Sequence, residues 1–133
     1  MDAKLKYKAK KIKMVFFDID DTLRVKDTGY MPASIPKVFQ ALKAKGILVG
    51  IASGRARYGV PQEVQNLHAD YCVKLNGAYV KDDAKNIIFQ APIPADVVVA
   101  YKKWADDMGI YYGMAGRHAV SYTHLRAHET RHD

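Results

Sequence analysis

Met14-Val15-Phe16-Phe17-Asp18-Ile19-Asp20-Asp21-Thr22-Leu23 is the stretch that decides the fold. A short apolar run, entered from Ile12, leads directly into three carboxylates within four positions. An apolar run of this length closed by acids suits a strand buried on both faces. Its carboxyl end delivers Asp18 and Asp20 to the crevice where open α/β sheets bind ligands. Side chains alternate along a strand, so if the strand runs this far, Asp18 and Asp20 face one way and Ile19 the other. Like charges held that close repel unless a cation or hydrogen-bond donors compensate. A hard divalent ion bound through oxygens, Mg²⁺ above all, meets that need. The same residues also suit an acidic turn after a core strand, and D-x-D alone does not choose between the two.

Downstream, Arg24 to Pro36 carries Gly29, Pro32 and Pro36 and reads as a loop. Ser34 is expected as a helix N-cap, with Pro36 tolerated in the first turn. Val38, Ala41 and Leu42 then fall on one helical face with lysines on the other, and Gly46 supplies the stop. Ile47 to Ala52 forms a second buried strand, so strand, helix and strand make a parallel βαβ unit. Ser53-Gly54-Arg55 follows that strand directly and therefore lies at the same sheet end as Asp18. A serine hydroxyl, backbone N–H groups left accessible by glycine and a helix start together suit an incoming phosphate. Arg55 adds a planar, permanently charged donor fork. A plain strand-to-helix turn capped by Ser53 explains the same residues, but less well beside Asp18.

A helix is expected from about Ala56 to Leu67, with Pro61 limiting its first turn. Tyr71 to Leu75 reads as a third strand ending at Asn76-Gly77, taken as the hinge into a second unit rather than as a hairpin turn. Beyond it, Ala78–Lys81 and Asn86–Ala91 resemble an antiparallel hairpin around Asp82-Asp83. Asp96 then caps a helix with Val98, Tyr101, Trp104, Ala105 and Met108 at helical spacing, stopped by Gly109. Its aromatic residues are read as packing rather than as a surface for stacking bases or sugars. Ile110 to Met114 starts another strand.

At 133 residues with ordinary apolar and charged fractions, the chain is long enough for one core. No apolar run approaches the ~20 residues of a membrane span, and no apolar segment follows the N-terminal lysines as in a secretory signal. The single cysteine, Cys72, permits no internal disulfide and is expected as a small buried residue in a reducing, cytoplasmic setting. The net charge is +7, and six lysines against Asp2 place +5 of it before Met14. This basic leader, residues 1–11, is read as a solvated, frayed segment rather than a nucleic-acid contact.

Three blocks carry a family resemblance. Asp18-Ile19-Asp20-Asp21-Thr22-Leu23 resembles the first motif of the haloacid-dehalogenase-like phosphatases. Gly50-Ile51-Ala52-Ser53-Gly54-Arg55 resembles their second motif in its Cof-type form. Leu75-Asn76-Gly77-Ala78-Tyr79-Val80 is similar to the place where that branch leaves its core for its cap. The resemblance implies a partial Rossmann-like parallel α/β sheet, the N-terminal half of the phosphatase core, over 12–77. The start of an α/β cap would follow over 78–118, with Asn76 and Gly77 as its entry.

The resemblance further implies an Mg²⁺-dependent phosphatase of small phosphorylated metabolites such as sugar phosphates. Asp18 would be the nucleophile and form an aspartyl-phosphate, since a carboxylate is ionised at neutral pH and needs no activating base. Asp20 would be the general acid and then the base for water. The metal would be held by the Asp18 side chain and the Asp20 backbone carbonyl. Thr22 would orient the loop, and Ser53, Gly54 and Arg55 would bind phosphoryl oxygens.

The family also expects a complete cap, a lysine motif and a second acidic motif, and the later residues match none of these. Lys102 and Lys103 fall in the cap-like helix. The chain is therefore expected to be an inactive N-terminal fragment, with an open sheet edge that favours self-association. Residues 119–133 resemble translated sequencing-adapter read-through and are set aside as non-native, although His124, His128 and His132 have a metal-ligand spacing on a helix. Two other readings stand beside this one. The first is a phosphosugar mutase or sucrose-phosphate-type phosphatase of the same superfamily; the second is a small basic nucleic-acid-binding module. Oligomeric state is not legible, and neither membrane nor nucleic acid is the expected partner.

Overall fold

The computed structural model describes residues 2–55, 59–116 and the backbone of 120–122. The basic leader is solvated as expected, but it is wound into a helix, α1 (Ala3–Ala9), exposed at every position. The Asp2 carboxylate accepts from the Leu5 N–H at 2.7 Å, which satisfies one of the amides a helix start leaves open. The lysines splay into solvent, and Lys11 lies 4.3 Å from the Tyr7 ring centre.

The chain then alternates through β1 (Met14–Phe17), α2 (Ser34–Ala44), β2 (Leu48–Ala52), α3 (Gln62–Gln65) and β3 (Tyr71–Lys74). Strands β1, β2 and β3 pair in parallel, with Phe17 opposite Ile51 and Ala52 opposite Val73. Next come β4 (Tyr79–Asp82) and β5 (Ile87–Gln90), then α4 (Ala95–Asp107), β6 (Gly113–Ala115) and β7 (Val120–Tyr122). The five-stranded sheet has the order β1-β2-β3-β4-β5. The hairpin expected to open a separate unit at Ala78 is instead hydrogen-bonded onto β3, with Lys74 opposite Tyr79. The seam expected at Asn76-Gly77 therefore lies within one sheet. Strand β6 pairs with β7 in a second, two-stranded sheet. Thus Val120–Tyr122, set aside as non-native, pairs with the chain ahead of it, whereas His124, His128 and His132 lie outside the described residues.

The core lies on one side of the sheet. Val49 and Ile51 of β2 meet Phe39 of α2, Val64 of α3 and the loop residues Ile19 and Leu23. Phe17 stacks on Phe39 with ring centres 5.2 Å apart. That contact sets the phase of α2: Ile35, Phe39 and Leu42 face the core, and Val38 is 41% exposed. Ser34 is the first helical residue rather than the cap, a place taken by Ala33. Strand β1 is not buried on both faces, because Phe16 is 53% exposed and lies across Gly50. A Cβ at Gly50 would come within 2.5 Å of the Phe16 ring, so glycine lets the aromatic lie flat there.

Two expected helices differ. The long helix from Ala56 is described only as the short α3 after Pro61, with 56–58 outside the described residues. Proline lacks an N–H and pushes the residue before it out of helical conformation, which delays the start. In α4, Pro94 takes the cap position and Asp96 lies in the first turn. Only Ala105 of that helix is buried, and Trp104 is 51% exposed. The packing expected of α4 is limited among the described residues to a few contacts, including Tyr101 edge-on to Tyr112 at 5.9 Å.

Candidate active site at the carboxyl ends of β1 and β2

Parallel pairing brings the ends of β1 and β2 together. Strand β1 stops at Phe17, and the acidic loop is pinned by its two apolar members, since Ile19 and Leu23 are fully buried. The Ile19 carbonyl accepts from the N–H groups of Thr22, Leu23 and Arg24 at 3.0–3.3 Å, folding the loop into a tight turn. Asp21 takes up the left-handed conformation (φ 61°) that this turn requires, one that Asp tolerates better than most residues. Because the strand ends at Phe17, the alternation expected through Asp20 does not extend to the acids; Ile19 is buried, Asp18 exposed and Asp20 half-buried.

Arg55 joins the two strand ends. Its Nε donates to Asp20 Oδ2 at 2.9 Å and its Nη2 to Asp20 Oδ1 at 2.7 Å, a two-point pairing across 35 positions of chain. Its Nη1 donates to the Gly59 carbonyl at 2.6 Å. Ser53 is buried; its Oγ accepts from the Arg55 N–H at 3.0 Å and its own N–H donates to the Val73 carbonyl. The Gly54 N–H makes no hydrogen bond among the described residues.

The electrostatics follow from these contacts. The Arg55 guanidinium beside Asp20 holds that carboxyl below the usual carboxylate range, outweighing partial burial, with Lys26 and Arg24 adding smaller effects. Asp18 is exposed; its Oδ1 accepts from the Ile19 N–H at 2.8 Å, and its other oxygen has no partner among the described residues. The Asp20 backbone carbonyl takes no part in the loop's hydrogen bonds. Thr22 is exposed, and its N–H donates to Ile19.

A carboxylate oxygen and a carbonyl without partners among the described residues are hard donors of the kind Mg²⁺ prefers, and they would fill two of its roughly six positions. No group of three or more acidic, histidine or cysteine ligands occurs among the described residues. The donor chemistry fits the ion, and the remaining positions would fall to water, substrate or other protein oxygens.

All the residues singled out in the sequence, Asp18, Asp20, Thr22, Ser53, Gly54 and Arg55, lie at this end of the sheet. Asn76 and Gly77 lie there too, in the short 3₁₀ turn Leu75–Gly77, where the Asn76 N–H donates to the Ser53 carbonyl at 3.3 Å. What the sequence did not reveal is the pairing of Arg55 with Asp20, the support from Gly59, and the proximity of Arg24 and Lys26. Only the pile-up of cations around one acidic loop hinted at these.

Comparison with known proteins gives this geometry a context. Residues 15–133 match the family model of the haloacid dehalogenase-like hydrolases. A protein of Streptococcus pyogenes serotype M6 named "Putative bifunctional phosphatase/peptidyl-prolyl cis-trans isomerase" is 94% identical over 118 residues, 89% of this chain and 25% of that protein. The fold matches the phosphatase BT1666 of Bacteroides thetaiotaomicron with a TM-score of 0.77 at 24% identity, over 87% of this chain and 43% of that one. It also matches the subclass IIB sugar phosphatase BT4131 with a TM-score of 0.68 at 32% identity, over 83% of this chain and 43% of that one. The chain thus spans a quarter to under a half of the length of these relatives. A matching family model over most of the chain, on a mixed α/β sheet with acids and a serine-glycine-arginine turn at one end, makes this chain a member of the haloacid dehalogenase-like hydrolases.

Proposed function

We propose that the protein to which this chain belongs is a Mg²⁺-dependent phosphomonoesterase of small phosphorylated metabolites, acting in the cytoplasm through an aspartyl-phosphate on Asp18. The observation that supports this best is the exposed Asp18 carboxylate at the same sheet end as the Ser53 hydroxyl and the Gly54 N–H, which has no partner among the described residues. Asp18 Oδ attacks phosphorus, and the bond to the leaving oxygen breaks as the bond to Asp18 forms. Ser53 and the Gly54 N–H hold the equatorial oxygens, and Thr22 keeps the acidic loop in place. Asp18 and the Asp20 carbonyl would hold Mg²⁺, which would supply charge neutralisation at the phosphoryl group.

Asp20 takes a proton from the incoming phosphate monoanion and gives it to the leaving alkoxide; water then attacks phosphorus, the bond to Asp18 breaks, and Asp20 accepts the water's proton. Paired as it is with Arg55, Asp20 accepts two hydrogen bonds and its carboxyl is held below the usual carboxylate range. An incoming phosphate competes for the Arg55 fork, and that competition is what frees Asp20 to carry a proton. The residues from Pro92 onward, with α4 and β6, begin the cap. The 133 residues alone turn over slowly, because the lysine and second acidic motif implied by the family are not matched in them.

The test compares the 133-residue chain with a version extended to the length of its relatives, using Mg²⁺ and a generic phosphomonoester. Turnover confined to the longer protein and abolished by Asp18→Asn is the expected result. Fast turnover by the short chain would overturn the claim of incompleteness. Turnover that survives Asp18→Asn would overturn the nucleophile assignment.

A further inference from the structure

The turn after β3 is strained in a way that its neighbours explain. Leu75 (φ 50°) and Asn76 (φ 53°) both adopt the left-handed conformation, and Gly77 follows at φ 99°. Asn tolerates that region, but a leucine there is strained and persists only where the surroundings impose it. Two hydrogen bonds impose it here: the Leu75 N–H donates to the Arg55 carbonyl and the Asn76 N–H to the Ser53 carbonyl, both at 3.3 Å.

The result is that the Asn76 carboxamide lies against Gly54. A Cβ built on Gly54 would come within 2.9 Å of Asn76 Oδ1 and 3.6 Å of its Nδ2. Asn76 is exposed, and its carboxamide makes no hydrogen bond to any described residue. A carboxamide held against Gly54 by a strained turn, with no partner among the described residues, has a donor to offer at that spot.

We infer that the Asn76 carboxamide is a further phosphate-binding group, presented by the left-handed turn beside the Gly54 N–H. This rests on the reading of Ser53 and Gly54 as a phosphate cradle. Asn76 then belongs to the site itself rather than only to the connection between β3 and β4. The absence of a side chain at residue 54 is what leaves room for the carboxamide.

The test is a titration of the 133-residue chain with inorganic phosphate in the presence of Mg²⁺, followed through the Ser53 and Gly54 amide resonances. The parent chain is expected to show saturable shifts at both. Asn76→Gly keeps the left-handed backbone and removes the donor, so the affinity falls about tenfold, the effect of losing one hydrogen bond to a charged group. Asn76→Asp lowers it further by placing like charge beside the phosphate. Gly54→Ala displaces the carboxamide through its flexible end and weakens binding, and adding Asn76→Gly to it weakens binding no further. Asn76→Asp, whose residue also tolerates the left-handed conformation, still decides the matter should Asn76→Gly not fold. Parent-like affinity in both Asn76 variants overturns the inference and leaves the cradle standing. No shift at Ser53 and Gly54 in the parent chain overturns the cradle, and the inference with it.

Discussion

Removing the Arg55–Asp20 pair tests how the two strand ends are joined. The pairing is two-point and charge-assisted, at 2.7 and 2.9 Å, a class of hydrogen bond that contributes about 1.5–3 kcal/mol when shielded. The side chains are 32% and 27% exposed, so solvent screening reduces the expected contribution to about 1 kcal/mol. Arg55 also donates to Gly59, so a single substitution would report more than the pair. A double-mutant cycle of Asp20→Asn and Arg55→Met isolates it and should give a coupling of about 1 kcal/mol at pH 7 by urea unfolding. For a chain this size that corresponds to about 3–5 °C in Tm.

The pH dependence has a definite sign. The folded-state pKa of Asp20 is lowered, so the pair's contribution is complete above the unfolded value of about 3.9. It is lost as the pH falls through the lower folded value. Coupling should therefore shrink toward zero as the pH falls through that lowered value. In Arg55→Met, the Asp20 carboxyl resonance should titrate at higher pH than in the parent. A coupling near zero at pH 7, or an Asp20 titration unmoved by Arg55→Met, would refute the pairing as the cause of the shift.

Other residues give further expectations. Phe39 is 2% exposed and stacked on Phe17, so Phe39→Ala should destabilise by about 3–5 kcal/mol in urea unfolding, whereas Val38→Ala should stay within about 0.5 kcal/mol. Equal effects would mean that α2 turns a different face to the sheet. Burial pushes the Cys72 thiol up, with Asp83 adding to the effect and Lys74 and Lys81 opposing it. Thiol labelling at pH 7 should therefore be at least about tenfold slower in the folded chain than in urea. Rapid labelling of the native chain would contradict this.

The βαβ unit was legible because short apolar runs, a lysine-faced helix and Gly46 each point to the same chain path. The phase of α2 was less legible. Val38, Ala41 and Leu42 satisfy a helical spacing as well as Ile35, Phe39 and Leu42, and only the Phe17 ring on the facing strand chooses. The hairpin of β4 and β5 read correctly as two antiparallel strands, but its local pattern does not name the strand it joins. That partner is β3, so the hairpin extends the sheet. In α4 the periodicity was present without the neighbour it seemed to demand, since Trp104 and Met108 remain exposed.

At the site, the residue types were readable because charge, hydroxyl and glycine have few other reasons to follow a buried strand so closely. Their partners were not. Asp20 and Arg55 are 35 positions apart, and Asn76 reaches Gly54 through a turn whose leucine gives no outward sign of left-handed geometry.

Titration with Mn²⁺, a paramagnetic stand-in for Mg²⁺, tests most directly whether one ion site lies between the two strand ends. Amide broadening should begin at Ile19 and Asp20, reach Ser53 and Gly54 at the same metal concentration, and disappear in Asp18→Asn. Broadening that begins instead at the Asp82-Asp83 turn, or that persists in Asp18→Asn, would contradict a shared site at the ends of β1 and β2.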